Sequence, residues 1–182
     1  MSQPSDSDNG AAAFGPPLST SANALLENGS DGRFRAMVYD LLALENQMRE
    51  ARDRLAAEMG VSGPGYMIVM VIAQKQAEGI GINSIARQLH VSGAFVTTEV
   101  GKLVRAGLVD KRRNPEDRRG VLLRLTPAGE GRVRAIAPNI RAVNDYFFGD
   151  LSRAEFEALS RTAARLGSKS AAACFDAKDD AA

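Results

Sequence analysis

Residues 81–126, GINSIARQLHVSGAFVTTEVGKLVRAGLVDKRRNPEDRRGVLLRLT, set two short helical patterns, a glycine-marked stop and an alternating hairpin in direct succession, an order that few folds accommodate. In the first pattern Ile82, Ile85, Ala86 and Leu89 share one face, with Asn83 as the candidate cap. Ser92 caps the second, where Val96, Val100, Leu103 and Val104 point inward at i, i+4, i+7 and i+8. Gly107 then stands where a left-handed residue ends a helix. Beyond it the period becomes alternating: 108–114 and 120–126 are strand-like, the second setting Val121, Leu123 and Leu125 against Leu122 and Arg124. Asn114-Pro115-Glu116-Asp117 between them has the composition of a type I turn.

Charge is concentrated on the same stretch. From Lys102 to Arg124 there are eight basic residues against three acids, a local charge of +5 in a chain whose net charge is +1, so the remainder carries −4. Phosphate neutralisation needs Lys and Arg gathered on one surface, and a bulk balance near neutrality says little about it. A basic hairpin directly after a helix-turn-helix pattern suits double-stranded DNA. Taken alone, Arg112, Arg113 and Arg124 could equally be solvating the strands that carry them.

The rest of the chain supplies long helices. Phe34, Met37, Val38, Leu41, Leu44, Met48 and Leu55 recur at helical spacing from about Asp31 to Met59, a stripe longer than a small domain can cover, which implies packing against a second chain. Ser62 caps a helix containing the apolar run 66–73, and Gly79-Ile80-Gly81 ends it. Thr126-Pro127 opens a helix through about Phe148 that Pro138 should kink or interrupt. Ser152 and Glu155 have capping-box spacing and start a last helix with Phe156, Leu159, Ala163 and Leu166 on one face. The fold class is mainly α with a small two-stranded β wing, a winged helix-turn-helix at 61–126 flanked by helical segments at 31–60 and 127–168, the dimerisation helices of the resemblance given below. A polar N-terminal tail (1–30) and an Ala-rich C-terminal tail (169–182) read as disordered.

Several classes of function are disfavoured. The first thirty residues lack a basic n-region and an apolar run, and the eight-residue apolar segment 66–73 falls far short of the roughly 20 residues a membrane span needs, so a cytoplasmic protein without a membrane contact is expected. Cys174 is the single cysteine, with no partner for an intramolecular disulfide. There is no His pair, Cys-x-x-Cys, nucleophile elbow or phosphate-binding Gly loop, and Gly60 to Gly65 follows a helix rather than a strand, so no enzyme, cofactor or metal is expected. His90, the only histidine, lies between two helices and reads as a capping or surface residue.

IARQLHVSGAFVTTEVGKLVRAGLV followed by RRNPEDRRGVLLRLTPAG resembles the MarR-type winged helix-turn-helix transcriptional regulators, and with the flanking helices the likeness covers about residues 33–167. The resemblance implies a homodimer, interleaved through its first and last helices, that carries two winged domains to successive major grooves. It places Ser92, Gly93, Ala94, Thr97, Thr98 and Lys102 at the major groove, and Asp117, Arg118 and Arg119 at the wing tip, where the Asp orients its neighbour. Arg112 and Arg113 extend this basic surface. The residues agree on physical grounds: with Val96, Val100 and Leu103 in the core, Ala94, Thr97, Thr98, Gly101 and Arg105 face outward. Small Gly93 and Ala94, and bulky Phe95, depart from the longer polar side chains common in the family, and Phe95 reads as a packing residue.

The resemblance further implies release of DNA by a small effector, such as an aromatic acid or its CoA conjugate. Tyr39, Met48, Tyr66, Met67 and Met70 are the candidate lining, their thioethers and phenols supplying adaptable contacts. Arg33, Arg35, Arg49 and Arg52 are candidates for receiving an anion. The implied activity is a repressor on a pseudo-palindromic operator. The alternative is a winged-helix module that binds a protein partner and no specific DNA.

Overall fold

The computed structural model describes residues 15–113 and 120–169. The chain divides into two compact units, residues 1–50 and 51–182.

The first unit contains most of α1 (Gly32–Met59) and the segment before it. Residues 15–30, which composition assigns to a disordered tail, carry a 3-10 turn at Asn23–Leu25 and a bridge between Glu27 and Ser30. That bridge turns through Asn28 and Gly29, at φ 52° and 79°, the pair of positive-φ residues that tight hairpins favour. Buried Asp31 ties the segment down, accepting from the Ser19 backbone N–H and hydroxyl at 2.6 Å each and from Arg35 Nε at 3.0 Å. The Arg35 guanidinium, then Ser19, hold the Asp31 carboxyl well below the usual carboxylate range. Met37, Tyr39, Leu41, Leu42 and Met48 are exposed on α1.

The second unit holds the winged helix-turn-helix. α2 (Gly63–Gln74) begins at Ser62, whose hydroxyl accepts from Gly65 N–H, with Pro64 in the first turn, where its missing donor costs nothing. It ends at Gln74, five residues before the expected stop at Gly79. The Gln76 side chain accounts for the early end: its amide donates to Leu125 O at 3.0 Å and Glu130 Oε1 at 2.9 Å, and its oxygen accepts from Leu125 N–H at 2.7 Å. α3 (Ile82–Leu89) starts two residues earlier than an Asn83 cap would place it. Ile80 pairs with Leu123 in both directions, at 3.1 and 2.9 Å, which leaves Gly81 extended as the N-cap and puts Asn83 inside the helix. His90 is the C-cap of α3 in the left-handed region, at φ 53°.

After α4 (Gly93–Arg105), Gly107 at φ 71° turns the chain into β1 (Val109–Arg113), which pairs antiparallel with β2 (Val121–Leu125), Val109 opposite Leu125 and Arg113 opposite Val121. α5 (Pro127–Phe148) runs unbroken through Pro138, correcting the expected interruption; Pro138 is exposed, so the carbonyl it deprives of a donor can turn to water. α6 (Arg153–Gly167) opens with a complete Ser152–Glu155 capping box and buries no residue, leaving Phe156, Leu159 and Leu166 exposed. Met59, Ile68, Ile72, Ile85, Val96, Val100 and Leu123 form the fully buried centre, drawn from α1, α2, α3, α4 and β2. One core thus fixes the recognition helix and the wing together.

Candidate nucleic-acid interface

α4 is held from one side and open on the other. Val96, Val100 and Leu103 are buried, while Ala94, Thr97, Thr98, Lys102 and Arg105 are exposed. Ser92 caps the helix, its hydroxyl oxygen accepting from Phe95 N–H at 3.1 Å, which leaves the hydroxyl hydrogen for another acceptor. Gly93, half-buried, lies against Asn83, whose Oδ1 would be 3.5 Å from an added Cβ. The Thr97 and Thr98 hydroxyls donate back to the Gly93 and Ala94 carbonyls at 2.8 and 3.1 Å. Phe95 does not pack into the core as its bulk suggests: it is 40% exposed.

The sequence reading did not single out Glu99, yet it fixes α4. Buried, it accepts from the Ser62 hydroxyl at 2.9 Å and from Lys102 Nζ at 2.5 Å, so one carboxylate ties the α2 cap to the recognition helix and commits the Lys102 amine. Its three-residue spacing from Lys102 is legible on a helix, but Ser62 is distant in sequence. The hydrogen bond from Lys102 holds the Glu99 carboxyl below its ordinary value of 4.5, assisted by Ser62 and opposed by burial. A carboxylate depressed in the fold contributes stability above its unfolded pKa and loses it as pH falls through the folded one. Glu99→Gln is therefore expected to lower the melting temperature at neutral pH and to flatten the loss of stability on acidification below about 4.5. Thermal melts from pH 3 to 7 check this, and an acid limb identical in both proteins would contradict it.

On the wing, Lys111, Arg112 and Arg113 are exposed along β1, with Arg112 Nε 3.2 Å from Asp110. Asp117, Arg118 and Arg119 lie outside the described residues. The base of the wing is closely built. Thr126 caps α5, its hydroxyl accepting from Gly129 N–H at 3.1 Å and donating to Gly107 O at 2.6 Å, while its own N–H reaches Leu108 O at 3.0 Å. Gly129 is needed there because a Cβ would lie 2.2 Å from the Leu108 carbonyl oxygen. Thr-Pro-Ala-Gly is thus a backbone joint that seats α5 against the start of β1.

The sequence profile of the MarR family matches residues 65–121, from α2 through the first residue of β2. Over that segment the chain is similar to the MarR family. The HTH-type transcriptional regulator SarZ of Staphylococcus haemolyticus is 29% identical over 92 residues, 50% of this chain and 58% of that protein. The HTH-type transcriptional repressor YetL of Bacillus subtilis is 24% identical over 102 residues, 56% of this chain and 61% of that protein. The chain thus spans about three fifths of the length of these curated relatives. Among solved structures, S. aureus MepR in its DNA-binding conformation superposes with a TM-score of 0.67 at 20% identity, covering 72% of this chain and 96% of that one. CouR from Rhodococcus jostii RHA1, bound to p-coumaroyl-CoA, gives a TM-score of 0.64 at 21% identity, covering 73% and 93%. These likenesses show the MarR-type winged-helix fold.

The candidate effector residues are spread over both units of the chain. Tyr39 and Met48 are exposed in the first unit; Tyr66 is buried, and Met67 and Met70 are half-buried, in the second. Burial pushes the Tyr66 phenol up. The four arginines proposed for an anion have carboxylates beside them already: Arg33 with Glu27 at 2.7 Å, Arg35 with Asp31 at 3.0 Å, Arg49 with Glu45 at 3.4 Å and Arg52 with Asp53 at 3.9 Å. Among the described residues no cluster of His, Cys, Asp and Glu could hold a metal, and no single helix is long and apolar enough to cross a membrane.

Proposed function

We propose that the chain is a cytoplasmic, ligand-responsive DNA-binding transcriptional regulator that represses by seating a homodimer on a pseudo-palindromic operator. The observation that carries this is α4: a capped helix, anchored by Glu99 and three buried apolar residues, whose other face is exposed, in a unit whose strand β1 also exposes Lys111, Arg112 and Arg113. A helix so held can enter a major groove without rearranging its core. Ser92, Gly93, Ala94, Thr97, Thr98 and Lys102 are the major-groove residues in this reading. Arg112 and Arg113 meet phosphates, and Asp117, Arg118 and Arg119 form the minor-groove tip.

Homodimer formation is supported by the uncovered apolar residues of α1 and α6, Met37, Leu41 and Leu42 on one and Phe156, Leu159 and Leu166 on the other. Response to a small effector is supported by one structure of the same fold, CouR, which is bound to p-coumaroyl-CoA. An aromatic acid or its CoA conjugate is the class to test against Tyr39, Met48, Tyr66, Met67 and Met70. Such a ligand acts by favouring one spacing of the paired domains, and lowers operator affinity without dissociating the dimer.

Selection from a random duplex pool tests the reading. Successive rounds should converge on an inverted repeat whose half-sites are centred about 10 base pairs, or a multiple, apart. A pool that remains unenriched would favour the alternative, a protein-binding module.

A further inference from the structure

We propose that α4 recognises its half-site chiefly through thymine methyl groups, so that thymine C5-methyls, not guanine acceptors, set its preference in the major groove. The inference rests on the DNA-binding reading above and follows from what the helix presents where base edges are met. The N-terminal turns of a recognition helix face the bases. In those turns the exposed side chains are Ala94, Phe95, Thr97 and Thr98. None is a cation or an amide, so the bidentate pairings that read guanine O6 and N7 or adenine N6 and N7 have no partner there.

The threonines are committed further. Each hydroxyl hydrogen is donated to the carbonyl four residues back, at 2.8 Å for Thr97 and 3.1 Å for Thr98. A groove therefore meets a Cγ2 methyl and an oxygen that can only accept. Lys102 and Arg105 are the basic residues of the last turn, and the Lys102 amine is 2.5 Å from Glu99. In this inference Lys102, at the edge of the major groove, and Arg105 serve phosphates and not base edges, positioning the helix without reading sequence. Apart from the Ser92 hydroxyl at the N-cap, two threonine methyls, the Ala94 methyl and the 40%-exposed Phe95 ring remain, and these four apolar groups are chemically matched to the thymine methyl. The exposure of Phe95, unexplained by core packing, then has a use.

Deoxyuridine in place of thymidine removes that methyl and leaves Watson–Crick pairing intact. On a duplex obtained by selection, fluorescence anisotropy should show each contacted thymidine-to-deoxyuridine change weakening binding about three- to fourfold, the size expected for one buried methyl. Thr97→Ser and Thr98→Ser keep the hydroxyls and remove the protein methyls. Each should bind the thymidine duplex more weakly and lose sensitivity to deoxyuridine at its own position. Specific binding that is indifferent to deoxyuridine throughout the half-sites would overturn the proposal and leave DNA recognition standing. Absence of specific binding to any duplex would overturn the DNA reading itself.

Discussion

Replacing Arg118 and Arg119 together by alanine is expected to lower operator affinity by about 100-fold at physiological salt, since losing a groove or phosphate contact costs about 1–3 kcal/mol each. Two facts motivate the choice. The stretch from Lys102 to Arg124 carries +5 in a chain of net charge +1, and these two residues fall in the sequence between β1 and β2. Strand β1 exposes Lys111, Arg112 and Arg113 immediately before that segment of the sequence. A narrow A·T minor groove concentrates negative potential, and an arginine inserted there gains more than one on an open face. Because two cationic contacts vanish, the plot of log affinity against log salt should become shallower by about 1.8. Thermal stability and oligomeric mass should not change, since both substitutions fall in the sequence between the two strands and not within a helix or strand. Undiminished affinity in the double variant would remove the wing from the interface.

The second large effect concerns the joint between wing and α5. Gly129→Ala places a Cβ 2.2 Å from Leu108 O, 3.1 Å from Leu108 C and 3.4 Å from its Cα, all backbone atoms. That carbonyl also accepts the Thr126 N–H, so it cannot withdraw without breaking the cap that starts α5. The cost should reach about 3 kcal/mol, the upper part of the range for overpacking, which lowers the melting temperature by about 6–12 °C in a protein of this size. Gly131, two residues on in the same helix, has nothing within 4 Å of an added Cβ. Gly131→Ala should therefore raise stability by about 0.5–1 kcal/mol through helix propensity. Opposite signs for two substitutions two residues apart separate a steric joint from a general glycine effect. Thermal melts of both variants that moved the same way would contradict the account of the Thr-Pro-Ala-Gly corner.

Helix starts and the wing were legible in the chain because their causes are local. Ser62, Ser92, Thr126 and Ser152 each accept from a backbone N–H three residues on, and that spacing is visible in sequence. The alternation of Val121, Leu123 and Leu125 fixed which face of β2 is buried. Where a distant partner decides, the sequence reading failed. α2 stops at Gln74 because Gln76 is bound by β2 and α5, and α3 starts early because Ile80 pairs with Leu123. Glu99 looks like a surface acid until Ser62 and Lys102 are seen around it. The Asn28-Gly29 hairpin signal was present in the N-terminal segment, but polar composition outweighed it.

The candidate site was legible in the same uneven way. The outward face of α4 follows from where its valines point, so Ala94, Thr97 and Thr98 could be named in advance. The states of those side chains could not be: hydroxyls turned back on the helix, Phe95 outside the core and Lys102 held by a buried acid are consequences of tertiary packing.

The central claim, sequence-specific binding of double-stranded DNA, is tested most directly by fluorescence anisotropy of the full chain. Two duplexes serve, the DNA upstream of its own gene and a scrambled version of it, across a series of salt concentrations. The expected result is binding in the range of about 10⁻⁸ to 10⁻¹¹ M to the first and at least about 1,000-fold weaker binding to the second, with affinity falling steeply as salt rises. Failure to bind either duplex at low salt would contradict the claim.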